Sequence, residues 1–87
     1  MSYRIEVEKR AARQISALTL GLRERILDEI ERLQDDPRPR GCSKLRGRSE
    51  PAWRIRVGDY RILYRIHDDR RLVRIYGVLR RDEAYRD

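Results

Sequence analysis

Eighty-seven residues suffice for one small domain with a single core. A formal charge of +7 points to an anionic partner, a nucleic acid or an acidic protein. Single copies of cysteine (Cys42) and histidine (His67) exclude an internal disulfide, a cysteine-based metal site and a paired-histidine centre, and no apolar run approaches the ~20 residues of a membrane helix or the core of a signal peptide.

A single domain spanning 1–87, cytoplasmic and without membrane attachment, is therefore expected, with no metal or cofactor. The charge is unevenly spread. Residues 1–36 carry 7 basic and 8 acidic side chains, whereas residues 37–87 carry 15 and 7. All the basic residues but Lys9 and Lys44 are arginine, which suits planar, bidentate recognition of phosphate or carboxylate. A codon bias toward arginine would explain part of the total, but not its concentration on one sheet face.

Taken in chain order, residues 3–7 alternate as a short strand. Residues 8–18 place Ala11, Ala12, Ile15 and Leu18 at helical spacing. A second helix is marked by Leu22, Ile26, Ile30 and Leu33, with Thr19 as a candidate N-cap and Pro37 and Pro39 as its stop. Residues 37–51, PRPRGCSKLRGRSEP, then read as a basic loop, with Cys42 a bystander within it.

The segment 52–66, AWRIRVGDYRILYRI, reads as a β-hairpin around the two-residue loop Gly58-Asp59. That loop sets Val57 opposite Tyr60, Ile55 opposite Ile62, Trp53 opposite Tyr64 and Arg56 opposite Arg61. Arg54 and Arg65 share the arginine face, and like charges directly opposed on a sheet are destabilising. Such a face calls for an anionic ligand. After a turn at 67–71, residues 72–79 form a further strand. Pairing Ile66 with Val73 would put Val73, Ile75, Gly77 and Leu79 on the core face and Arg74 and Tyr76 beside the arginines. Tyr60 and Tyr64 belong to the core.

The architecture expected is α+β, ordered β-α-α-β-β-β, with a mostly antiparallel sheet and a helical hairpin on one face. No phosphate-binding glycine loop, metal helix or hydrolase triad is present, and His67 lies beyond the hairpin, away from the arginines. Arginine suits charge stabilisation better than proton transfer. RNA needs little more, because its own 2′-hydroxyl can attack the adjacent phosphate when held in line.

The segments KLRG at 44–47, WRIRVGDYRILYRI at 53–66 and RRDEAYR at 80–86, with the DDPRP loop after the helices, resemble the RelE/ParE superfamily of prokaryotic toxins, and its RelE branch in particular. The resemblance spans nearly the whole chain. It implies a metal-independent endoribonuclease with the RelE-like, microbial-RNase-type fold, cleaving mRNA in the ribosomal A site. It also implies silencing by a cognate acidic antitoxin, through which alone operator DNA would be reached. By position, Arg54 and Arg56 match the family's basic pair on the first hairpin strand, Arg61 its phosphate-stabilising arginine, Arg81 the arginine on the leaving-group side and Tyr85 the tyrosine that stacks on the base or orients the nucleophile. Lys44, Arg46, Arg65, Arg74, Tyr76 and Arg80 are the further RNA-binding candidates on the mRNA and ribosomal RNA.

Two departures bear on mechanism. The strand pair is often lysine in relatives, and arginine is the poorer proton acceptor. Many relatives also carry histidine where this chain has Arg80. Proton transfer then falls to Tyr85, whose hydroxyl nearby guanidiniums would acidify, or to Glu50, which otherwise reads as an ordinary loop carboxylate. The alternatives are a ParE-like toxin that poisons DNA gyrase without nuclease activity, and a non-catalytic RNA-binding or autoregulatory module.

Overall fold

The computed structural model describes residues 2–47 and 50–84. β1 (Arg4–Val7) leads into α1 (Lys9–Ser16) and α2 (Leu20–Arg32), followed by β2 (Ser43–Leu45), β3 (Ala52–Val57), β4 (Tyr60–His67), β5 (Leu72–Arg80) and the single-turn α3 (Arg81–Ala84). The five strands form one sheet in the order β1-β5-β4-β3-β2, antiparallel except where β1 runs parallel to β5.

The helices fall where apolar spacing places them, and Thr19 does occupy the N-cap of α2, though its hydroxyl makes no capping bond. α2 stops at Arg32, short of Pro37, so the prolines forbid a restart instead of setting the end. Ala11, Ile15 and Leu18 from the first helical segment and Ile26, Ile30 and Leu33 from the second pack on Ile55, Val57, Ile62, Tyr64, Val73, Ile75 and Val78 of the sheet. Each large aliphatic side chain buried there contributes about 1.5–3 kcal/mol.

Tyr64 is fully buried, and its hydroxyl donates to the Pro37 carbonyl at 2.9 Å. Burial, with the Cys42 thiol alongside, pushes its ionisation far above the usual tyrosine range. The Pro-rich segment is thereby fastened to the core. Within the segment expected as loop, Ser43–Leu45 is a strand paired with Ala52–Arg54; three residues carry too little alternation to stand out among prolines and glycines.

The hairpin register is as the sequence reads, including Arg56 opposite Arg61, and so is Ile66 opposite Val73. The turn has φ +58° at Gly58 and no positive φ at Asp59, the arrangement in which glycine is favoured at the first central position. His67 ends β4, and the turn proper is a 3₁₀ segment, Asp68–Arg70, closed by Arg71 at φ 49°.

The faces of β5 differ from expectation. A bulge between Leu63 and Tyr64 takes up one extra residue of β5, so Tyr64 pairs with Ile75 and Leu63 with Gly77. Beyond it the alternation is inverted. Val78 therefore enters the core, while Gly77 and Leu79 move to the arginine face. A methyl group at Gly77 would meet Leu63 Cδ1 at 3.3 Å, so the glycine makes room for Leu63.

Candidate functional site

The side of the sheet away from the helices is best described in rows across the strands. At the hairpin tip lie Arg56, Arg61 and Leu79; next come Ser43, Arg54, Leu63 and Gly77; then Arg65, Arg74 and Glu6; and at the far end Leu72 flanked by His67 and Arg4. The register thus creates two opposed arginine pairs, Arg56 with Arg61 and Arg65 with Arg74.

The chain itself answers much of that repulsion. Arg65 Nε lies 3.3 Å from Glu50 Oε2, and its guanidinium stacks on Tyr76 at 4.4 Å from the ring centroid. Arg74 donates to Glu6 Oε1 at 3.0 Å. These partly exposed ion pairs contribute at most about 1 kcal/mol each, but they neutralise the middle of the face. Tyr76, an RNA-binding candidate, carries the Arg65 guanidinium on its ring, and Glu50, a candidate proton acceptor, is engaged with Arg65.

The positive charge is concentrated instead at the hairpin tip. Arg61 is only 3% exposed, and its Nη1 donates to the carbonyls of Tyr60 at 2.9 Å and Gly58 at 3.4 Å. The intervening carbonyl, that of Asp59, accepts from the Arg81 backbone N–H at 2.7 Å. Arg80 and Arg81 then line a depression of about 500 Å³ together with Asp59 and Asp82.

On the other side of the turn, a methyl group at Gly58 would meet the Arg25 guanidinium nitrogens at 3.7 and 3.8 Å. Arg25 projects from α2 and, among the described residues, brings to five, with Arg56, Arg61, Arg80 and Arg81, the arginines around the tip. Nothing in a helix-surface arginine singles it out in the sequence. The tip is reached because β2 covers β3 only as far as Arg54, leaving Arg56 along an open edge that borders a groove of about 510 Å³ with Arg32, Arg40 and Ile55.

The other expected site residues are dispersed. Arg54 is half-buried in the second row beside Leu63. Lys44 pairs with Trp53 and lies over its ring, 5.9 Å from the centroid, on the helix side of the sheet and not with the arginines. Arg46 is exposed just beyond β2. Tyr85 lies outside the described residues. His67 ends β4 at the opposite end from the tip, roughly 20 Å along the strand at ~3.3 Å per residue.

Beside His67 a separate cluster locks the far end. Arg38 grips Asp68 with two nitrogens, at 2.8 and 3.2 Å, while Tyr3 donates its hydroxyl to the same carboxylate at 2.7 Å. Those hydrogen bonds, Arg38 first, hold the Asp68 carboxyl down at about 2. The Arg38 guanidinium also lies over Trp53, 5.2 Å from the ring centroid. These groups are occupied with each other and join β1, β3, the Pro-rich segment and the β4–β5 turn. Among the described residues no three His, Cys, Asp or Glu side chains are grouped to hold a metal ion, and no helix is long and apolar enough to cross a membrane.

Comparison with known proteins accords with this fold. Over its whole length the chain is 28% identical to the candidate toxin RelE1 of Methanocaldococcus jannaschii, covering 99% of that protein. The toxin in the RelE–RelB complex of Pyrococcus horikoshii superposes with a TM-score of 0.82 at 27% identity, with 93% of this chain and 97% of that one covered. The RelBE2 toxin–antitoxin complex of Mycobacterium tuberculosis gives the same score and identity over 93% and 100%. Residues 5–85 match the model of the ParE toxin of the type II toxin-antitoxin system parDE. That match spans every strand of the sheet except its first residue, and with it the chain belongs to the ParE toxin family of type II toxin–antitoxin systems.

Proposed function

We propose that this RelE-like toxin is an mRNA endonuclease acting in the ribosomal A site and silenced by an acidic antitoxin. The observation that carries the reading is the hairpin tip, where a buried arginine, Arg61, and the C-terminal Arg81 are held on consecutive carbonyls of one turn with Arg56 and Arg80 beside them. A guanidinium held in place and shielded from water, as that of Arg61 is, stabilises developing charge without reorganising at the moment of reaction.

In the proposed reaction the 2′-oxygen of one ribose bonds to the adjacent phosphorus, and the bond from phosphorus to the 5′-oxygen of the next nucleotide breaks. The products are a cyclic 2′,3′-phosphate and a 5′-hydroxyl, the leaving oxygen taking up a proton. Arg56 and Arg61 would hold the non-bridging oxygens, and Arg81 the leaving-group side. The 2′-proton goes to solvent or to a group at the tip. Asp59 and Asp82 are the carboxylates lining that depression, and Tyr85 remains the candidate implied by resemblance.

The relatives in complex are paired with RelB antitoxins, and an acidic segment folding onto the basic tip would complete the same arrangement here. The test is expression in a bacterial host: the wild type should arrest growth and translation, and Arg81→Ala should relieve the arrest while still copurifying with the antitoxin from the neighbouring gene. Arrest undiminished in Arg81→Ala would defeat the assignment. Because the family model is that of ParE, poisoning of DNA gyrase is the second reading; SOS induction with intact mRNA would establish it instead.

A further inference from the structure

We propose that the Gly58–Tyr60 turn is the positioning element of the site, coupling Arg61 to Arg81. The proposal rests on the nuclease reading for its catalytic consequence, but the coupling itself is structural. Three consecutive carbonyls carry it. Gly58 and Tyr60 accept from Arg61 Nη1 at 3.4 and 2.9 Å, and Asp59, between them, accepts from the Arg81 N–H at 2.7 Å. Arg61 is thus anchored through its side chain and Arg81 through its backbone, from residues far apart in sequence, onto a single rigid reference.

The arrangement solves a physical difficulty. A guanidinium 3% exposed retains its charge and loses most of its water, which is tolerable only with oriented dipoles around it. The turn supplies two, and their direction depends on the backbone at Gly58, whose φ of +58° L side chains rarely adopt. The nearest obstacle to a side chain there is the flexible end of Arg25, at ordinary contact distance. Backbone conformation, and not crowding, therefore makes residue 58 a glycine. A turn that relaxed to another φ would rotate the Gly58 and Asp59 carbonyls and displace both arginines together.

Gly58→Ala and Gly58→Asn separate this role from simple stability, since asparagine enters the left-handed region more readily than alanine. In ¹⁵N-labelled full-length protein, Gly58→Ala should move the Arg61 Nε–H and the Arg81 amide resonances together, and Gly58→Asn should return both toward wild type. In ribosome-dependent cleavage, kcat of Gly58→Ala should fall roughly 10- to 100-fold, as expected for ångström-scale misplacement, with KM within about twofold and recovery in Gly58→Asn. If Gly58→Ala does not fold, Arg61→Ala takes its place for the coupling: with the Gly58 and Tyr60 carbonyls released, the Arg81 amide resonance should move. Unmoved resonances, or resonances that move while kcat per folded molecule stays at the wild-type value, overturn the proposal. A wild type that cleaves no mRNA overturns the nuclease reading alone, and the resonances then decide the coupling.

Discussion

Arg56 and Arg61 are direct partners across the β3–β4 hairpin, yet their guanidiniums part company: Arg61 folds under the turn onto the Gly58 and Tyr60 carbonyls, while Arg56 stays exposed along the open edge of β3. Opposed like charges on a sheet cost stability, and this divergence reduces the cost without an external anion. It also gives the two residues different uses. Arg61 is preorganised, and Arg56 is free to adjust to whatever ligand arrives.

The Tyr64 hydroxyl is the fastener between core and Pro-rich segment, being buried and bonded to the Pro37 carbonyl. Tyr64→Phe keeps the ring and leaves that carbonyl short of a donor, so urea denaturation should show a loss of about 1–2 kcal/mol.

Gly77→Ala tests the bulge. Its methyl would press on Leu63 Cδ1 at 3.3 Å, and Leu63 is buried beneath the arginine face, so it must shift or the strand must. The expected cost is about 1–3 kcal/mol, as for overpacking elsewhere, read as a lower urea midpoint with unchanged slope.

Acid should loosen the far end selectively. With its carboxyl held down at about 2 by Arg38 and Tyr3, Asp68 binds fewer protons folded than unfolded, where its reference value is about 3.9. Its contribution is present above that reference value and disappears as pH falls through about 2. Thermal melts of wild type and Asp68→Asn should therefore differ at neutral pH and converge in strong acid; a constant gap would show that the carboxylate's charge is not what matters.

The hairpin could be read from the sequence because a two-residue turn fixes register and strict alternation fixes faces, so every pair from Trp53–Tyr64 to Val57–Tyr60 falls as expected. β5 could be read only up to Tyr76, since a bulge is a tertiary adjustment that moves Gly77, Val78 and Leu79 to new faces without altering composition. The arginine cluster was recognisable as a set but not as a distribution. Glu6 and Glu50 neutralise its middle from distant parts of the chain, and Arg25 joins its tip from a helix, contacts that sequence spacing cannot anticipate.

The most direct measurement of the central claim is primer extension on a reporter mRNA after induction of wild type and Arg61→Ala, with folding of both checked by circular dichroism. The account predicts codon-positioned breaks with the wild type and at least ~10²-fold fewer with Arg61→Ala, the loss typical of removing one fixed charge-stabilising donor. Equal cleavage by a folded Arg61→Ala would contradict it.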